Sequence, residues 1–112
     1  MSIVAVADLL GVSGRRHELM AALARAERDA ADQPGCLRYS FAATIAEPDH
    51  FVLISEWRDQ AALDAHYASP GFPSFQFSLN GLLARPSQMT LYSVSGSARP
   101  LASGAMDPRD AD

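Results

Sequence analysis

The stretch FVLISEWRDQAALDAHYASPG (51–71) runs from a strand directly into a helix and then stops. Residues 51–58 are rich in β-forming side chains, and large hydrophobes occur in both alternating sets. Asp59 is a good N-cap for a short helix over 60–68, because its carboxylate can accept a hydrogen bond from a free backbone N–H. Ser-Pro-Gly at 69–71 ends that helix. The pattern therefore predicts a strand followed at once by a helix.

A long helix and two more strands are predicted upstream. IVAVADLLGV (3–12) is rich in valine and leucine and reads as a first strand. Apolar residues recur at helical spacing over 15–31, namely Leu19, Leu23, Ala26 and Ala30. Gln-Pro-Gly at 33–35 ends this helix, and CLRYSFAATI (36–45) follows as a strand. Alternation predicts one apolar side for that strand, formed by Leu37, Tyr39, Phe41, Ala43 and Ile45.

A third helical piece and a last strand are predicted downstream. Pro73 suits a first helical position, and apolar residues follow at helical spacing, namely Phe75, Leu79, Leu82 and Leu83. Ala-Arg-Pro at 84–86 ends that helix, and SQMTLYSVS (87–95) reads as a strand. Residues 96–112 have few bulky apolar side chains with which to offset the entropy of ordering, so a flexible C-terminal tail is expected.

The order of these elements, β-α-β-β-α-β, is the ferredoxin-like pattern. It predicts an α+β domain over residues 1–95, with a four-stranded antiparallel sheet and both helices on one face. The other face would be uncovered, yet the strand over 51–58 carries large hydrophobes on both sides. The economical cover is a second copy of the chain, packed sheet against sheet. A homodimer is therefore expected.

Composition argues against several classes of function. A chain of 112 residues, 48% of them hydrophobic, fits one domain with one core, and its net charge of −4 lacks the basic patch of a nucleic-acid binder. One cysteine, with no cluster of cysteine and histidine, argues against a metal site and favours the reducing cytoplasm. No Gly-rich nucleotide fingerprint is present, so no cofactor is expected. The apolar N-terminal run is far shorter than the ~20 residues of a membrane span, so no membrane partner is expected.

Two segments, PGCLRYSF (34–41) and EPDHFVLISEWRDQAALDAHYASPGF (47–72), carry a resemblance. They resemble the antibiotic biosynthesis monooxygenase family, whose members form dimeric α/β barrels. The resemblance implies the dimeric α/β barrel fold, and it allows several activities. Family members include cofactor-free oxygenases for polycyclic phenols or quinols, haem-degrading enzymes, an isomerase-like signal-processing enzyme and proteins without a known reaction.

The family pattern has an acid two residues before an aromatic residue at the end of a strand, and then a helix with a histidine. Trp57 and His66 stand at the aromatic and histidine positions, whereas Ser55 stands where the acid is common, with Glu56 beside it. The haem-degrading branch carries an asparagine on its first strand, but the only asparagine here is Asn80. Haem degradation is therefore disfavoured among the activities that the resemblance allows.

A reaction without a cofactor must use the substrate's own electrons. A base would remove a proton from a phenol or hydroquinone, and an apolar cavity would hold the anion beside dioxygen. His66 has a suitable ordinary pKa of ~6.5 for that base. We expect a cavity between sheet and helices with His66 at its polar end and walls formed by Tyr39, Phe41, Trp57, Phe72 and Phe75. His50 is a second candidate base, and Tyr39 and Tyr92 could hold a substrate oxygen.

Structural roles remain open for the same residues. His66 could be a hydrogen-bonded core residue, and Trp57 could simply pack against the following helix. Cys36 fits a small buried hydrophobe better than a nucleophile.

Two functional hypotheses follow. The first is a cofactor-independent monooxygenase for an aromatic phenol, quinol or polyketide-like molecule. The second is a non-catalytic dimeric protein that binds a hydrophobic small molecule. A carboxylate or asparagine facing the cavity near His66 would favour the enzyme, and an all-apolar cavity would favour the binding protein.

Overall fold

The computed structural model describes residues 1–96, which form four strands and three helices in the predicted order. The elements are β1 (Ser2–Leu10), α1 (Arg16–Ala31), β2 (Cys36–Ala43), β3 (His50–Trp57), α2 (Gln60–Ala68), α3 (Gly71–Ser78) and β4 (Gln88–Val94). The strands pair antiparallel in the order β2-β3-β1-β4. The predicted ferredoxin-like α+β fold is confirmed. The tail expected over 96–112 lies outside the described residues, apart from Gly96.

The helices cover one face of the sheet. On that face the central strands place eight buried residues, namely Ile3, Ala5, Ala7, Leu9, Phe51, Leu53, Ser55 and Trp57. Leu19 and Leu23 of α1 pack against Leu9, Leu53 and their neighbours, and Leu63 of α2 packs against Trp57. The predicted inward faces of α1 and α2 are confirmed. Among residues 1–96, no helix combines the length and apolarity needed to cross a membrane.

The third helix differs from its prediction at both ends. We expected a helix from Pro73 to Leu83, whereas α3 spans Gly71–Ser78. Gly81 has φ of 76°, in the left-handed region, so the helix cannot continue through it. Beyond that turn Leu83 pairs with Gly11 at the end of β1 instead of completing a helical turn. Apolar spacing alone does not indicate this change, although Leu82 is buried as the spacing suggests.

The apolar side of β2 is shorter than predicted. Tyr39 and Phe41 do face the helices, since both pack against the core. Leu37 is 58% exposed, because a bulge between Cys36 and Arg38 shifts the register against β3. Ile45 lies beyond the end of the strand and is fully exposed. The expectation that Leu37 and Ile45 lie on the same face as Tyr39 was therefore wrong.

Candidate functional site

A cavity of about 90 Å³ lies between the covered face of the sheet and the helices α2 and α3. Its lining includes every wall residue expected from the sequence, together with the expected histidine: Tyr39, Phe41, Trp57, His66, Phe72 and Phe75. Tyr67, Ser55 and Met89 also line it. The structure thus brings these side chains together, although six different elements, all four strands with α2 and α3, contribute to the lining.

The direct passage from β3 into α2 places Trp57 beside His66. Asp59 caps α2, because its carboxylate accepts a hydrogen bond from the backbone N–H of Ala62 at 2.9 Å. The ring centroids of Trp57 and His66 are 4.7 Å apart at an interplanar angle of 32°. The indole N–H of Trp57 donates to Ser55 Oγ at 3.2 Å. Trp57 therefore both fills the core and forms a wall of the cavity.

His66 is enclosed by aromatic rings. Besides Trp57, the rings of Tyr39, Tyr67 and Phe72 have centroids 5.4 to 5.5 Å from that of its imidazole. Only 8% of the residue is exposed. Burial lowers the pKa of His66 below its ordinary value, because desolvation disfavours the imidazolium. The imidazole is therefore uncharged at neutral pH and has one nitrogen free to accept a proton.

Gln33 is a neighbour of His66 that sequence reasoning missed. Its Oε1 lies 2.8 Å from His66 Nδ1, although the two residues are 33 positions apart. Gln33 belongs to the turn that follows α1, and its sequence context, Gln-Pro-Gly, indicates only the end of a helix. The sequence shows only that Gln33 is a polar amide in a turn between two core elements. That does not indicate that its side chain contacts His66.

Two tyrosines add hydroxyl groups to the cavity. Burial raises the pKa of Tyr39 and also that of Tyr67, so both phenols remain protonated at neutral pH. The hydroxyl of Tyr67 donates to the sulfur of Met89 at 3.1 Å, which links α2 to β4 at the edge of the cavity. Protonated phenols are suited to donating a hydrogen bond to a ligand oxygen.

His50 and Tyr92 lie on the opposite face of the sheet. His50 pairs with Leu10 and alternates with Phe51, which faces the helices, so the two side chains point to different sides. Tyr92 is opposite Val4 on the same uncovered face. The Nε2 atom of His50 lies 2.8 Å from Asp8 Oδ1 there. Their expected contact with the cavity is therefore wrong, because strand alternation turns both side chains to the uncovered face.

The polar groups of the cavity are neutral. Within the described residues, its lining contains no carboxylate and no asparagine. Ser55 occupies the position at which the family pattern often has an acid, and Glu56 pairs with Val4 and Arg38 on the uncovered face. Burial raises the pKa of Cys36, which keeps its thiol protonated. In residues 1–96 no three side chains of the metal-binding types converge on one point.

These observations define a ferredoxin-like α+β domain with an aromatic cavity suited to a small apolar ligand. The sequence profile of the family described as antibiotic biosynthesis monooxygenase matches residues 2–76. The chain therefore belongs to the antibiotic biosynthesis monooxygenase family. Membership supports an oxygenase or small-molecule-binding role in general terms.

Individual proteins share the fold or part of the sequence. The structure of Rv0793 from Mycobacterium tuberculosis superposes with a TM-score of 0.81 at 23% identity, over 88% of this chain and all of the other. A variant of SnoaB, a cofactor-independent oxygenase from Streptomyces nogalater, gives 0.75 at 25% identity, over 86% of this chain and 95% of the other. The uncharacterised protein sll1783 of Synechocystis is 36% identical over 63 residues, which span 56% of this chain but only 43% of that protein.

Proposed function

We propose that this protein is a cofactor-independent monooxygenase for an aromatic phenol or quinol. The observation that carries the proposal is His66, an uncharged imidazole buried among aromatic rings at the wall of a cavity. Such a group can take a proton from a bound hydroxyl without first losing one of its own. The similarity to SnoaB, itself a cofactor-independent oxygenase, supports the same reaction class.

The reaction balances without an added reductant. In a phenol whose keto form carries a CH₂ group, as in an anthrone, His66 accepts one proton and leaves a substrate anion. That anion transfers an electron to dioxygen, and a carbon–oxygen bond then forms to give a hydroperoxide. Loss of water breaks the oxygen–oxygen bond and leaves a carbonyl group. The CH₂ carbon supplies all four electrons, one oxygen atom enters the product, and the other leaves as water.

The cavity limits the size of the substrate. A volume of about 90 Å³ is smaller than the ~150 Å³ apolar cavity that accommodates benzene in an engineered protein. A substrate ring must therefore displace side chains at the cavity edge or project past it. Met89 lies at the edge of the cavity, is 45% exposed and accepts a hydrogen bond from Tyr67, so we expect its side chain to move when a ring enters. We accordingly propose that one reacting ring enters and that further rings of a polycyclic substrate stay outside.

Oxygen uptake by the purified protein tests the proposal. Hydroquinones and anthrones should consume dioxygen faster with protein than by autoxidation alone. One labelled oxygen atom from ¹⁸O₂ should enter each product, and catalase should not return any oxygen, since water rather than peroxide is formed. Uptake that never exceeds the protein-free rate across the panel would reject the enzyme.

A binding protein without catalysis is the second candidate. It is favoured by the lack of a carboxylate or asparagine in the described lining of the cavity. Trp57 is the only tryptophan of the chain, so its fluorescence reports directly on the occupied cavity. Saturable quenching by a hydrophobic aromatic compound, without oxygen uptake, would identify this function instead.

We also propose a homodimer formed by the uncovered sheet face. Ile54 is 38% exposed there and Tyr92 is 53% exposed, with Val4, Val6 and Val52 around them. An obligate interface would bury more than ~2,000 Å² in total, so the dimer should persist at micromolar concentration. Sedimentation of the wild-type protein as a monomer would contradict this proposal.

Substitution of Ile54 by glutamate should convert the dimer to monomer, because it would place an unpaired charge at the centre of that interface. The matched control is Ile45→Glu, which adds the same charge at a fully exposed isoleucine beyond β2. Sedimentation should show a dimer for the control and a monomer for Ile54→Glu. Identical behaviour of the two variants would place the interface elsewhere.

A cytoplasmic location is proposed as well. It is supported by the single cysteine, whose thiol is free and kept protonated by burial. Cell fractionation that recovers the native protein outside the cytoplasm would contradict it.

A further inference from the structure

The hydrogen bond between Gln33 and His66 determines which imidazole nitrogen carries the proton. The partner atom of Nδ1 is the amide oxygen Oε1 at 2.8 Å. An amide oxygen can only accept a hydrogen bond, so Nδ1 must donate. In a neutral imidazole the other nitrogen, Nε2, is then unprotonated and has a lone pair.

The backbone around Gln33 is held in place. Its N–H donates to the carbonyl of Ala30 at 3.0 Å, and its own carbonyl accepts from the N–H of Cys36 at 3.1 Å. Both polar groups of this residue are therefore bonded within the turn between α1 and β2. The side-chain amide consequently starts from a fixed position.

The same turn packs directly against α2. Gly35 has φ of 79°, and a Cβ added there would lie 2.5 Å from the Cβ of Ala62. Its carbonyl also accepts a hydrogen bond from the backbone N–H of Arg58 at 2.8 Å. This contact sets the distance between the turn that carries Gln33 and the helix that carries His66. The pair is thus fixed by backbone packing from both sides.

The free nitrogen of His66 faces accessible space. The two ring nitrogens point in divergent directions, so Nε2 is directed away from Gln33. No described residue bonds to Nε2, and yet every fully buried side-chain nitrogen or oxygen within residues 1–96 has a partner. Nε2 is therefore not sealed in the core. His66 lines two cavities, of which the one of about 20 Å³ is also lined by Gln33 and the one of about 90 Å³ is not, so the side of the ring away from Gln33 meets the cavity of about 90 Å³.

We propose that Gln33 is a positioning residue: it holds His66 as the Nδ1-protonated tautomer, so that Nε2 accepts a hydrogen bond from a hydroxyl group on an aromatic ligand. The proposal rests on the site described under the proposed function and narrows its ligand to a hydrogen-bond donor. A ring with a free hydroxyl satisfies Nε2, whereas its methyl ether leaves that nitrogen without a partner. The protein should therefore bind hydroquinone at least about 10-fold more tightly than 1,4-dimethoxybenzene, as measured by quenching of Trp57.

Nitrogen-15 NMR of the histidine rings tests the tautomer without substrate or oxygen. Above its pKa, the wild-type protein should show His66 with a protonated Nδ1 and an unprotonated Nε2. In Gln33→Glu, a carboxylate faces Nδ1 and stabilises the imidazolium, so the pKa of His66 should rise by about 1 unit or more. In Gln33→Leu the acceptor is lost, and the preference for the Nδ1 proton should weaken or reverse.

The matched control is Gln60→Glu. Gln60 is an exposed residue at the start of α2, where its amide contacts Asp64, so this change adds the same charge without touching His66. A shift of the His66 pKa no larger in Gln33→Glu than in Gln60→Glu would overturn the role of Gln33. A wild-type spectrum with the proton on Nε2 would overturn it as well, and that spectrum requires no variant to fold.

These outcomes separate the inference from the proposed function. Absence of oxygen uptake would reject the oxygenase but would leave the tautomer and the hydroxyl preference intact. The opposite tautomer would reject the role of Gln33 but would not change whether oxygen is consumed.

Discussion

Replacement of His66 by alanine is expected to lower the oxygen uptake of a phenolic substrate by about 100-fold or more. In the proposed reaction this neutral side chain at the cavity wall is the base, and its removal leaves tyrosine hydroxyls that stay protonated because burial raises their pKa. The measurement is the initial rate of oxygen uptake per folded molecule. A purely structural role would instead reduce the free energy of unfolding by about 1–3 kcal/mol and leave that rate unchanged.

His17→Ala is the matched control for this experiment. His17 is an exposed histidine of α1, so its removal changes the histidine content without altering the cavity. Its oxygen uptake should equal that of the wild type. Unchanged uptake in well-folded His66→Ala would remove His66 from the mechanism and transfer attention to the hydroxyls of Tyr39 and Tyr67.

The pH dependence of the rate should follow the same imidazole. Burial lowers the pKa of His66, so the uncharged imidazole already predominates at pH values somewhat below the ordinary histidine pKa. The rate should therefore rise with pH through a midpoint below about 6.5 and then level off. Between the folded and unfolded pKa values the unfolded chain binds more protons, so this residue also makes the fold less stable as pH falls below about 6.5. Rates must accordingly be normalised to folded protein.

Much of the site could be predicted because strand alternation and helical spacing act locally. Once β3 continues into a capped α2, Trp57 and His66 must lie near each other on the covered face. The same rule, applied consistently, would have placed His50 and Tyr92 on the uncovered face. Those two assignments failed because they considered residue chemistry and not the side of the strand.

The features that escaped prediction depend on contacts between distant segments. The bulge after Cys36 moves Leu37 out of the core, and no local sequence pattern predicts this bulge. The partnership of Gln33 with His66 arises only when the turn after α1 packs on α2. Local sequence therefore predicts which side chains enclose the cavity, whereas the orientation of His66 is set by tertiary packing.

Replacement of Trp57 by alanine is expected to reduce the free energy of unfolding by about 3–5 kcal/mol. The indole is 1% exposed and packs with Ile3, Leu63 and the ring of His66, so its deletion leaves a void that neighbouring backbone cannot fill. Urea unfolding at fixed protein concentration, followed by circular dichroism, measures the effect. Leu37→Ala is the control, since this leucine is 58% exposed on the neighbouring strand and should change stability by less than about 0.5 kcal/mol.

Trp57→Phe separates the packing role of the indole from its hydrogen bond. Phenylalanine keeps an aromatic ring against His66 but loses the N–H that donates to Ser55 Oγ at 3.2 Å. That bond is long for an N–H donor, so its loss should contribute only about 1 kcal/mol, and most of the stability should return with the ring. If Trp57→Phe were as unstable as Trp57→Ala, the bond to Ser55 would matter more than ring packing. If both variants were as stable as Leu37→Ala, Trp57 would not hold β3 and α2 together, and the wall of the cavity would have to be supported by other residues.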